Sequence, residues 1–120
     1  MVTRARQERG AATAELALGI PLLVALTAGL VWVLAVGAAQ VRVVDASREA
    51  ARIVARGDDV AAAEAVALRI APESAEVSIH VGDAEVVVTT SARVSGPGGL
   101  LGSLPGVTVS SESVAVVEES

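Results

Sequence analysis

The chain has 120 residues, 52% of them hydrophobic, with nine arginines, no lysine, fourteen acids and a net charge of −5. Cysteine is absent, histidine occurs once, and Trp32 is the only aromatic residue. This composition excludes disulfide stapling, cysteine zinc sites, a lysine-bearing phosphate loop and aromatic base-stacking platforms.

Arg4, Arg6 and Arg9 open the chain, opposed only by Glu8, and no charged residue follows between Leu16 and Val41. As a helix that run is about 39 Å long, more than the roughly 30 Å of hydrocarbon in a bilayer. One membrane span is expected there. The basic flank places the N-terminus in the cytoplasm and everything beyond Val41 outside. A secretory signal peptide is the competing reading, with Gly37-Ala38-Ala39 as its small residues. Such peptides have an apolar core of only about 7 to 15 residues, so the longer run favours a permanent anchor.

Past the span, Val43/Val44, Ala46/Ser47, Ala50/Ala51 and Ile53/Val54 recur every three to four residues, which extends the helix to about Arg56. Asp45 with Arg48, and Glu49 with Arg52, are spaced to pair on its exposed side. Gly57 is the expected left-handed stop, and Asp58 or Asp59 the expected side-chain cap of a second helix over about 59–71. Val60, Ala63, Val66, Ala67 and Ile70 make its apolar stripe, and Pro72 bars its continuation.

From Glu76 the period changes to two, predicting strands over about 76–81, 84–94 and 107–117. A two-residue turn at Gly82-Asp83 sets Val81 against Ala84, Ile79 against Val86 and Val77 against Val88. Leu100, Leu101 and Leu104, in the glycine-rich connection, are expected to tuck under the sheet. The apolar phase shifts from Val107/Val109 to Val114/Val116, which predicts a bulge near Ser111 or Glu112. With no aromatic or disulfide to steady it, the outer domain, placed at 57–120, relies on the long helix or on neighbouring subunits.

Nothing in this pattern converges on catalysis. His80 stands on a polar strand face, opposite Glu85 in the proposed register, without a nucleophile or a second base. No cofactor, metal or nucleic-acid partner is expected, and the chain is read as not an enzyme.

Glu8-Arg9-Gly10-Ala11-Ala12-Thr13-Ala14-Glu15-Leu16-Ala17-Leu18 running into Pro21-Leu22-Leu23, with Ala46-Ser47-Arg48-Glu49-Ala50-Ala51-Arg52 further on, resembles the TadE-like minor pilins of the type IV pilin-like family. The resemblance covers residues 8 to 56. It implies a pilin-like α+β fold, with a long N-terminal membrane helix over 11–56, one short amphipathic helix and a small three-stranded antiparallel sheet. It also implies a cytoplasmic leader over 1–10, cut between Gly10 and Ala11 by a prepilin peptidase. The partners it implies are the membrane, that peptidase, other pilin subunits and the assembly platform of a Tad-type pilus or secretion apparatus.

Two readings of Glu15 stand. It pairs with the new amine of Ala11 on a neighbouring subunit, as the resemblance implies, or it snorkels to the interface as an N-terminal helix acid. Pro21 is expected to kink the helix by freeing the Ala17 carbonyl. Leu16, where the family usually has an aromatic, and Ala11 as the first mature residue are departures from the pattern. The alternative function is an unprocessed, single-pass anchored domain that binds a ligand outside the cell.

Overall fold

A computed structural model describes residues 2–96 and 106–118, with side chains from Arg4 onward. Its elements are helix α1 (Val2–Ala55), helix α2 (Val60–Ile70) and strands β1 (Glu76–Val81), β2 (Glu85–Val94) and β3 (Val107–Val116). The strands form one antiparallel sheet in the order β1-β2-β3. The fold is α+β, as the change of period along the chain predicts.

Two compact units divide the chain, Met1–Val33 and Leu34–Ser120. The first is the apolar part of α1, with Leu16, Leu18, Leu22 and Leu23 all well exposed. The second begins inside α1, not after it at residue 57, because the last turns of that helix supply a third side to the outer core. Val43, Ala46, Ala50 and Ala51 are buried there with Ala63 and Ala67 of α2 and Val86 and Val88 of β2. Alanine is the commonest residue in this core, and its small side chain lets helix and sheet backbones approach closely.

Helix α1 stops at a glycine for a specific reason. Gly57 has φ +95°, the Gly57 N–H donates to the Val54 carbonyl at 2.9 Å, and the Asp58 N–H donates to the Ile53 carbonyl at 3.2 Å. Those two bonds are the Schellman motif, which needs a left-handed residue after the cap. The acid after it behaves otherwise than expected. Asp59 occupies the N-cap position of α2 without a side-chain capping bond, and only its carbonyl takes part, accepting the Ala63 N–H at 3.1 Å. Val60, the first residue of the expected stripe, is exposed, whereas Ala63 and Ala67 are fully buried.

The β1–β2 register differs from the expected one by two residues. Val81 faces Val86, Ile79 faces Val88 and Val77 faces Thr90. The cause is the turn: among the described residues only Gly57 has a positive φ, so Gly82 does not form the left-handed turn that a Gly82-Asp83 loop requires. Gly82 is instead opposite Glu85, donating its N–H to that carbonyl at 2.8 Å, and the chain reverses at Asp83 and Ala84. A shift of two preserves the faces, so Val77 and Ile79 still point inward. His80 faces Val87 and not Glu85.

Strand β3 has no bulge, because its pairing with β2 is continuous from Glu85↔Val116 to Val94↔Val107. The change of apolar phase has another origin. The inner face carries Val109, Ser111, Ser113 and Ala115, while Val114 and Val116 turn outward, 53% and 76% exposed. Small residues on the inner face accommodate the helix, and the valines were displaced to the solvent face. Of the two expected helix ion pairs, Glu49–Arg52 forms at 2.9 Å. Asp45–Arg48 does not occur among the described residues, both side chains being exposed and solvated. Leu100, Leu101 and Leu104 lie outside the described residues.

Candidate functional site

The segment Gly10 to Pro21 is helical throughout and exposed except at Gly19. Space within the chain does not explain Gly10: a Cβ added there would meet nothing within 4 Å, and its φ is not positive. A glycine in a helix interior costs about 1 kcal/mol relative to alanine. Nothing among the described residues uses the absence of the Cβ at Gly10. The same open surroundings hold for Gly19, Gly29 and Gly37.

Ala11 and Glu15 are four residues apart, so they sit one turn above the other on the same helix face. Glu15 is exposed, and the ion pairs among the described residues are Arg52–Glu49 and Arg56–Asp58 only. The Thr13 hydroxyl donates to the Arg9 carbonyl at 2.9 Å, which ties the turn that spans the Gly10–Ala11 bond. Helix α1 runs unbroken through Pro21, whose missing N–H deprives the Ala17 carbonyl of its usual donor. These four positions therefore lie along one helix and do not converge in a cleft. Within the same unit the Trp32 indole N–H is buried without a partner among the described residues, and an indole buried in protein normally finds one.

Among the described residues one helix is long and apolar enough to cross a membrane, over Arg4–Ala55, with almost none of its apolar window covered by the other described residues. This fits a single-pass membrane anchor. Residues 10–52 match the family model described as TadE-like protein. Over that stretch the chain resembles TadE-like proteins. The match begins at Gly10 and takes in Ala11, Glu15 and Pro21.

Over 79 residues the chain is 44% identical to "Apoptosis inhibitor Rv3655c" of Mycobacterium tuberculosis. The similarity takes in 66% of this chain and 57% of that protein, so the chain spans little more than half the length of the curated relative. No solved structure matches.

Arg42, Ser74 and Arg93 line one groove of the outer unit, a grouping that was not legible in the sequence because they come from a helix, a loop and a strand that only the fold unites. The one local signal was Arg42 as the first charge after the apolar run.

Proposed function

We propose that this chain is a minor pilin or pseudopilin subunit of a Tad-type pilus or secretion apparatus. It enters the membrane with its N-terminus in the cytoplasm, is cut between Gly10 and Ala11 by a prepilin peptidase, and then acts structurally and not as an enzyme. The observation that carries this reading is Gly10 itself: a helix-weakening residue that the chain's own packing does not use, at the start of the TadE-like match.

The helical state of the Gly10–Ala11 bond adds a step that spacing alone does not reveal. The first turns of α1 unwind before cleavage, and glycine lowers the cost of that local opening. Gly10→Val is expected to leave only uncut precursor, read as intact mass after extraction from cells that express a matching peptidase. Wild-type protein that keeps its first ten residues in those cells overturns the proposal.

The outward face of the sheet leaves one other reading. In it the chain is an unprocessed anchored domain whose outward sheet face, with Val114 and Val116 exposed, binds a ligand. The same mass measurement separates the two.

A further inference from the structure

The outer unit contains an open groove of about 510 Å³. Ala35, Ala38 and Ala39 of α1 form its apolar wall, Arg42 of α1 and Arg93 of β2 also line it, and Ser74 joins them from the α2–β1 loop. The Arg42 guanidinium is held in place. The Arg42 guanidinium donates from Nε to the Ile70 carbonyl at 3.0 Å and from Nη2 to the Ala71 carbonyl at 3.1 Å, with further N–H donors unengaged among the described residues.

Arg93 is anchored differently. The Ser74 hydroxyl donates to the Arg93 carbonyl at 2.9 Å and accepts the Arg93 N–H at 3.2 Å. Its side chain lies against Gly106, where an added Cβ would come within 3.0 Å of Nε and 3.2 Å of Cγ. Glu73 is the acid in the lining, and it pairs with neither arginine among the described residues.

The position of the groove along α1 indicates its occupant. About 20 helical residues cross the hydrocarbon, so a span that starts at Leu16 emerges near residue 35. Ala35 to Arg42 then lies at headgroup depth, with the alanines toward the hydrocarbon and the guanidinium toward water. An apolar wall that ends beside one fixed arginine, Arg42, and one exposed arginine, Arg93, matches a phosphate-bearing amphiphile, because guanidinium groups bind phosphate oxygens through several N–H groups at once.

We propose that this groove holds one phospholipid of the outer leaflet, its phosphate on Arg42 and Arg93 and the start of its acyl chains on Ala35, Ala38 and Ala39. The proposal rests on α1 being a membrane anchor and not on cleavage after Gly10. Native mass spectrometry of the full chain, purified in zwitterionic detergent with added phosphatidylglycerol, tests it.

The wild-type protein is expected to retain one lipid. Retention falls severalfold in Arg93→Gln, which leaves the Ser74 backbone bonds intact, and further in Arg42→Gln/Arg93→Gln. It is unchanged in Arg48→Gln, a control on the exposed helix face. Equal retention in wild type and Arg93→Gln overturns the proposal, as does displacement of the lipid by millimolar inorganic phosphate, which assigns the site to a free anion. The same spectra give the mass of the chain, so a failure of processing registers separately from a failure of lipid binding.

Discussion

Glu15 is the residue whose surroundings leave most to be supplied from outside. It is exposed and has no cationic partner among the described residues, at the edge of a run that carries no other charge until Arg42. An acid drawn to the centre of a membrane helix costs about 2.5 to 3.5 kcal/mol, so the carboxylate stays near the interface until a cation meets it. Cleavage after Gly10 would create such a cation on Ala11, one turn away on the same face. The amine then has a choice between its own Glu15 and that of a neighbour, and only the second holds subunits in register. Glu15→Gln keeps the size and the hydrogen-bonding capacity but loses the charge. It is expected to be cleaved at the wild-type rate yet recovered about tenfold less in sheared fibres, the loss of about 1.4 kcal/mol of pairing. Immunoblots of the membrane and sheared fractions give the ratio, and wild-type recovery removes the role assigned to the carboxylate.

At the scale of elements, the contact that fixes α1 on the sheet is polar. Ser47 and Thr90 are both fully buried, with their hydroxyls 2.7 Å apart and the Ser47 hydroxyl 3.1 Å from the Ser111 carbonyl. Each hydroxyl has one proton, so both contacts are satisfied when Thr90 donates to Ser47 and Ser47 donates to Ser111. Ser47→Ala leaves buried groups unpartnered and is expected to cost about 1–3 kcal/mol, whereas Ser47→Ala/Thr90→Val removes both hydroxyls and costs less than the sum of the single changes. Denaturant unfolding of the full chain in detergent measures all three. The helix periods, the strand periods and the Gly57 stop were legible in the sequence because each depends on near neighbours. The hairpin register was not, since it turns on the backbone conformation at Gly82, and the smooth course of β3 was hidden by Ser111 and Ser113 facing the helix where valines are usual. The Gly10–Glu15 spacing was legible for the same local reason; the groove at Arg42 and Arg93 was not, because 51 positions of chain separate them.

For the molecule as a whole, the division at Leu34 determines what can fold alone. Residues 57–120 include every described strand and α2, yet Ala46, Ala50, Ala51, Ile53 and Val54 of α1 belong to the same buried cluster as Val86 and Val88. Val43 and Ala39 form a second cluster with Ala92 and Val109. Removal of α1 therefore uncovers the inner face of the sheet at both clusters, in a domain with no aromatic side chain and no disulfide to compensate. It also removes the Ala55 carbonyl that accepts the Glu118 N–H at 3.0 Å and the Ser47 hydroxyl beneath β2. A small domain has little stability to lose, since the net favourable term is about 0.05–0.15 kcal/mol per residue. The fragment 34–120 is thus expected to unfold cooperatively with mixed helix and strand circular dichroism, while 57–120 shows neither a cooperative transition nor dispersed amide resonances. A folded 57–120 would mean that the outer sheet and α2 sustain a core unaided, and α1 would then be a tether where the buried clusters make it one wall of the domain.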